Sequence, residues 1–279
     1  MAVALTVAAA LRAATARLAD SASARLDAEL LLAHSLGVTR TRLYSTPEFE
    51  LNDASRMHFD ALLDARARHT PLAYLTGRAE FWSLEFAVTP DVLVPRAETE
   101  LLVELAMAAW PVNTPGVLLD LGTGSGAIAA AVAHERPALS VIASDYSAAA
   151  LKVARDNFAR LGLSGIACLR ASWLSAVAEH SCDVILANPP YVGNAEAIDA
   201  AVGFEPRLAV FADDDGAAAL TAIIVEAPRC LKAGGYIALE HGYRQGAMVR
   251  ALLATQGFAR IETACDLAGR ERVSFAWRD

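Results

Sequence analysis

The chain is short of the residues that build metal clusters and covalent frameworks. Its four cysteines, Cys168, Cys182, Cys230 and Cys265, lie far apart and form no CxxC pair. That spacing argues against a zinc ribbon or a disulfide scaffold and predicts four buried, reduced thiols. The six histidines, His34, His58, His69, His134, His180 and His241, show no HExxH or other ligand spacing, so no metal is assigned. No apolar run approaches the roughly 18 residues of a membrane span. Basic charge is scarce too: 24 Lys and Arg stand against 32 Asp and Glu, a formal net charge of −8. This argues against a broad electrostatic grip on DNA or RNA. Internal repeats and low-complexity tails are missing as well.

What is present suits a packed, globular protein. The 279 residues are 55% hydrophobic and 20% charged, enough for a packed core, and the length predicts one large domain with a small one. The alanine-rich start, Met1 to Ala19, carries Arg12 and Arg17 and no acid, a composition shared with organelle transit peptides. It runs straight into a second helical pattern, so it reads as the first helix of a cytoplasmic protein. Ser23 is placed to cap a helix through Leu26, Leu30 and Leu31, which Gly37 ends. Asn52 is placed to cap another, with Met57, Leu62 and Leu63 on its apolar stripe, ended by Thr70-Pro71.

Glu80 to Val88 has strand character, Pro90 to Pro95 reads as a connector, and helix resumes from Glu98 to Trp110. Thereafter strands alternate with helices. Strands are expected at Val117 to Leu121, Val141 to Asp145, Ile166 to Arg170, Val184 to Ala187 and Tyr236 to Glu240. Helices are expected at Ala127 to Glu135, Ala148 to Leu161, Ala217 to Leu231 and Gln245 to Gln256. Ala259 to Cys265 and Arg272 to Trp277 are close enough in sequence to pair antiparallel. The order predicts an α/β fold whose sheet is mostly parallel with an antiparallel edge, preceded by a small helical domain. The expected domains are helical 1–75, a β-hairpin linker 76–95 and a catalytic domain 96–279.

The segment Asp120-Leu-Gly-Thr-Gly-Ser-Gly126 joins the first sheet strand to its helix. Gly122, Gly124 and Gly126 let the backbone turn tightly and approach a ligand that a Cβ would exclude, with Thr123 and Ser125 between them. Asp145 ends the next strand about twenty residues on, where a carboxylate can accept both hydroxyls of a ribose. This geometry fits a nicotinamide dinucleotide and S-adenosylmethionine alike. Trp173, after the third strand, is a candidate cover for an adenine ring or a plain core residue.

The deciding element is Asn188-Pro189-Pro190-Tyr191, immediately after the apolar run Asp183 to Ala187. Two prolines stiffen the chain and donate no backbone hydrogen bond, which leaves carbonyls available as acceptors. The Asn188 oxygen and the Pro189 carbonyl can converge on one planar NH₂ group, with the Tyr191 ring against its plane. Such a group is a poor nucleophile because its lone pair is delocalised. Two acceptors on its hydrogens draw the nitrogen towards tetrahedral geometry, and a methyl donor can then be attacked in line. No strong base is required, and a nicotinamide enzyme has no use for this tetrapeptide.

At these residues the chain resembles the N6-adenine and N5-glutamine methyltransferases, which share the class I methyltransferase fold and an NPPY loop. Further segments narrow the match. They are Phe81-Trp82 after Thr76-Gly77, Val94-Pro-Arg-Ala-Glu-Thr-Glu100, Phe204-Glu-Pro206, Gly234-Gly235, Leu239-Glu-His-Gly242 and Asp266-Leu-Ala-Gly-Arg-Glu-Arg272. With them the chain is similar over essentially its whole length to the release factor glutamine methyltransferases.

The resemblance implies S-adenosyl-L-methionine as cofactor and the glutamine of the Gly-Gly-Gln loop of class I peptide chain release factors as substrate, a role in translation termination. It implies that residues 122–126 hold the methionine part of the cofactor, Asp145 the ribose, and Trp173 the adenine, while Asn188 to Tyr191 grip the glutamine. It further implies docking of the release factor by the helical domain, with no membrane or direct nucleic-acid partner. Two departures stand out: Ser172 where the family often has Asp, and Ala97 where it has Pro. The competing expectations are a nucleic-acid adenine methyltransferase and a degenerate, non-catalytic binding module.

Overall fold

Helical periodicity in the first eighty residues produces a small bundle with its own core. The computed structural model describes residues 5–279, so the first four residues of the expected opening helix lie outside the described residues. Helices α1 (Val7–Arg17), α2 (Ala24–Leu36), α3 (Arg40–Ser45), α4 (Asp53–Ala67) and α5 (Leu72–Thr76) follow in order. Val7, Leu11, Leu31, Leu32, Phe59 and Leu63 form the apolar centre. Asn52 caps α4 by accepting from the Ser55 amide at 2.8 Å, and Gly37 ends α2 in the left-handed conformation. Ser23 stands at the head of α2 without a side-chain cap bond. Its hydroxyl instead donates to Asp27 at 2.8 Å, a buried carboxylate that also takes the Arg66 Nε at 2.8 Å. Met57 is 73% exposed rather than part of the stripe. It lies two positions from Phe59, about 200° around the helix.

This unit comprises the residues up to Arg78 together with Asp199–Phe204; the second comprises Ala79–Ile198 and Glu205–Asp279. A hairpin of β1 (Arg78–Phe81) and β2 (Leu84–Ala87) leads to α6 (Glu100–Ala109), which starts two residues later than expected because Ala97–Thr99 form a 3₁₀ turn. Then come β3 (Gly116–Leu121), α7 (Ala127–Glu135), β4 (Leu139–Asp145), α8 (Ala148–Arg160), β5 (Ala167–Arg170) and β6 (Cys182–Ala187). A loop carries two short paired strands, β7 (Val192–Gly193) and β8 (Phe211–Ala212), with α9 (Arg207–Val210) before β8. The chain closes with α10 (Ala218–Cys230), β9 (Leu231–Glu240), α11 (Gly246–Thr255), β10 (Phe258–Cys265) and β11 (Glu271–Arg278).

Seven strands form one sheet in the order β10-β11-β9-β6-β3-β4-β5, antiparallel at β10-β11-β9 and parallel elsewhere. Strand residues alternate between the two faces, as a pleated sheet demands. Leu118, Val141, Val184 and Tyr236 face a layer containing α6, α7 and Phe158 of α8; Leu119, Leu121, Ile185 and Ile237 face α10 and α11. Burial on both sides explains why the parallel strands read as continuous apolar runs. The thiols divide accordingly. Cys182 and Cys230 are buried, whereas Cys168 is half-buried and Cys265 exposed, since the last two sit on the sheet's edge strands β5 and β10, where one flank has no neighbouring strand. Among the described residues no helix is long and apolar enough to cross a membrane.

The strand order fixes where the sheet opens a crevice. From β3 the chain winds outward to β4 and β5, then returns to the other flank of β3 as β6. The switch point therefore lies at the carboxyl ends of β3 and β6, the location of ligand crevices in open α/β sheets. Register makes the neighbours definite: Leu121 pairs with Ser144 and with Ala187, and Ala187 pairs with Leu239.

Candidate active site

The turn after β3 is built from local bonds. Gly122, Gly124 and Gly126 all have positive φ, and at Gly126, the N-cap of α7, a Cβ would lie 2.5 Å from the Phe158 ring. At Gly122 a Cβ would meet the Trp173 ring at 3.4 Å. Trp173 is itself held at φ 46°, a left-handed backbone that turns its ring over the glycine loop. Asp145 is pinned from both sides: its Oδ2 accepts from the Gly124 amide at 3.0 Å and its Oδ1 from the Ser147 amide at 2.8 Å. Burial pushes its carboxyl up, against the pull of those amides. Each oxygen keeps a second lone pair for a hydroxyl donor.

Asp120 sits fully buried at the foot of the turn. Its Oδ2 accepts from the Thr123 hydroxyl at 2.6 Å and the Ala129 amide at 3.2 Å, while Oδ1 has no hydrogen-bond partner among the described residues. Burial lifts this carboxyl to about 7, with Thr123 and Ala129 holding it down and the charge of Asp145 raising it further.

Gly122, Gly124, Asp145, Trp173, Asn188 and Pro190 line one cavity of about 320 Å³, at the small end of the range for small-molecule sites. Thr123 and Ser125 are buried within the turn, and Gly126 starts the helix. Pro189 is buried. Tyr191 is fixed behind the cavity: its hydroxyl donates to Glu240 at 3.1 Å, and its carbonyl accepts from the Gln245 side-chain Nε2 at 3.1 Å. Burial and the nearby Glu240 charge push the phenol up.

Several lining or supporting groups escaped the sequence reading. Val92, Leu93, Pro206, Leu208 and Phe211 also border the cavity. Arg96 is ion-paired with Glu205, whose other oxygen accepts from the Val94 amide at 3.4 Å. Glu205 is buried, which raises its carboxyl, and Arg96 opposes that shift. Glu240 is only 1% exposed. It accepts from the Thr99 hydroxyl at 2.7 Å, and Thr99 in turn accepts from Asn188 Nδ2 at 3.0 Å. An acid closing the apolar strand Tyr236 to Leu239 was the available signal; nothing in the sequence joined it to Thr99.

A doubly wound sheet with a glycine turn after its first strand, a pinned carboxylate on one side of that turn and an Asn-Pro-Pro-Tyr loop on the other makes this chain a methyltransferase. Two family models match it, the PrmC N-terminal domain over residues 9–77 and the methyltransferase small domain over residues 97–204. The release factor glutamine methyltransferase of Salmonella typhimurium is 43% identical over 260 residues, covering 92% of this chain and 94% of that protein. Its Escherichia coli counterpart is 41% identical over 266 residues, covering 95% and 96%. Among solved structures, a methyltransferase from Pyrococcus furiosus superposes with a TM-score of 0.53 at 18% identity, over 70% of this chain and 89% of that one. The ribosomal protein L11 methylase of Lactobacillus delbrueckii gives 0.51 at 23% identity, over 66% and 81%; both are likenesses of fold. The chain belongs to the release factor glutamine methyltransferase family.

Proposed function

We propose that this protein transfers a methyl group from S-adenosylmethionine to the side-chain amide nitrogen of the glutamine in the Gly-Gly-Gln loop of class I peptide chain release factors. The observation that carries this reading is a shared wall: Asn188 and Pro190 line the same cavity as the glycine turn and Asp145. A donor held at the turn and an acceptor amide held at Asn188 then share one chamber. The glycine cradle, which side chains would fill, and the pinned Asp145 carboxylate fit a ribose-bearing cofactor. Bound there, S-adenosylmethionine supplies a sulfonium methyl open to in-line displacement.

The chain's own residues supply positioning and electrostatics. Residues 122–126 take the methionine part, Asp145 accepts from the ribose and Trp173 borders the adenine. Asn188 Oδ1 and the Pro189 carbonyl accept from the substrate NH₂, so its lone pair is freed from the amide plane. Pro190 and Tyr191 keep those acceptors stiff, and the proton leaves readily once nitrogen is alkylated. The helical domain 1–75 supplies the docking surface for the release factor, joined by the linker 76–95 to the catalytic domain 96–279. A net charge of −8 favours a protein substrate over a polyanionic one.

The test is incubation with a release factor and labelled donor, the methyl located by peptide mass spectrometry. One methyl on the Gly-Gly-Gln glutamine is expected. Asn188→Ala should lower kcat by about 10²–10³-fold, with donor affinity in calorimetry changed less than about threefold. An unmodified glutamine beside an active control enzyme, or loss of donor binding alone in the variant, overturns the reading.

A further inference from the structure

We infer that Thr99 and Glu240 are positioning residues that set which way round the Asn188 carboxamide lies, so that its oxygen and not its NH₂ meets the substrate amide. The inference rests on the assignment of Asn188 as acceptor for that amide.

With Glu240 ionised, the chain of hydrogen bonds has one consistent direction. Burial raises the Glu240 carboxyl, while the Thr99 and Tyr191 hydroxyls and the Arg272 charge favour its ionised form. As a carboxylate it accepts and cannot donate, so the single Thr99 hydroxyl proton is committed to Glu240 Oε2 at 2.7 Å. The Thr99 lone pairs then require a donor, and Asn188 Nδ2 supplies it at 3.0 Å. A carboxamide carries its oxygen and nitrogen on opposite prongs of one plane. With Nδ2 turned to Thr99, Oδ1 is left as the prong for a ligand amide in the cavity that Asn188 lines. Were the Thr99 proton released from Glu240, it would turn to Asn188 and draw Oδ1 towards itself. The cavity would then receive two N–H donors, and a substrate NH₂ would find no acceptor there.

The fold holds this relay away from water and within reach. Thr99 is 5% exposed and Glu240 1% exposed, so solvent is a poor substitute for either partner. The register pair Ala187 and Leu239 sets Asn188 and Glu240 abreast, each one residue further along adjacent parallel strands. The second oxygen of Glu240 takes the Tyr191 hydroxyl at 3.1 Å. One carboxylate thereby holds both ends of the Asn-Pro-Pro-Tyr loop.

The test compares Thr99→Val, Thr99→Ser and Asn188→Ala in the full chain, with a release factor as substrate and saturating S-adenosylmethionine. Valine matches threonine in shape and lacks the hydroxyl. Thr99→Val should lower kcat about 10- to 100-fold, with KM and donor affinity within about threefold. Thr99→Ser should restore kcat to within about threefold of the parent. Should the valine variant not fold, Thr99→Ala, smaller than the parent, carries the same expectation. Near-parental kcat in Thr99→Val beside a disabled Asn188→Ala overturns the inference and spares the role of Asn188; equal losses in the valine and serine variants also overturn it. An active Asn188→Ala overturns the role of Asn188 itself.

Discussion

The turn after β3 and the loop after β6 end adjacent strands of one sheet, yet they are held in opposite ways. The turn is secured by near neighbours: Thr123 reaches Asp120 three residues back, and Gly124 reaches Asp145 twenty-one residues on. The loop is secured from a distance. Asn188 reaches Thr99 across 89 residues, Thr99 reaches Glu240 across 141, and Arg96 reaches Glu205 across 109. The difference teaches that a glycine turn can be held by groups within about twenty residues, whereas fixing the orientation of the Asn188 carboxamide needs groups that only the folded sheet assembles.

The largest effect should come from breaking the turn at its tightest point. Gly126 has φ 85°, and an added Cβ would lie 2.5 Å from the ring of buried Phe158. Gly126→Ala should cost about 2–5 kcal/mol in chemical denaturation, from overpacking together with left-handed strain. A loss below about 1 kcal/mol would show that the turn yields more easily than its local bonds suggest.

Asp120 sharpens the contrast through pH. Its carboxyl rises from 3.8 to about 7 in the folded chain. Between those values the folded state binds more protons than the unfolded state, so stability falls as pH rises through this window. The difference in unfolding free energy, parent minus Asp120→Asn, should become less favourable by roughly 3 kcal/mol from about pH 5 to about pH 8. A difference independent of pH would mean that Asp120 is ionised throughout.

The smallest of the three concerns Asp145. Asp145→Ala should weaken donor binding by roughly 10- to 100-fold, the range for hydrogen bonds to a charged group. Because the loop after β6 is anchored elsewhere, kcat at saturating donor should stay within about threefold of the parent. A collapse of kcat with unchanged donor affinity would erase the distinction between the two regions.

Much of this could be read from the residues because the signals are short in range. Helix α7 occupies Ala127–Glu135, as its pattern predicts, since a glycine turn and a run of helix formers delimit it locally. The antiparallel pair β10 and β11 follows from two strands five residues apart. Periodicity misled at Met57, where a single apolar residue was assigned to a face that the angular positions of Phe59 and Leu63 exclude. Composition misled for Cys168 and Cys265, because whether a strand lies at an edge depends on sheet order and not on the strand itself.

By itself the sequence determined the α/β class, the glycine turn, the carboxylate that closes β4 and the stiff Asn-Pro-Pro-Tyr segment. Each depends on backbone freedom and side-chain chemistry within a few residues. Only the tertiary structure decided that Glu240, Thr99 and Asn188 form one relay and that Arg96 serves Glu205. Asn188 and Glu240 meet because strand order and register bring β6 and β9 abreast, the other partners lie 89 or more residues from the groups they bond, and no local pattern carries that information.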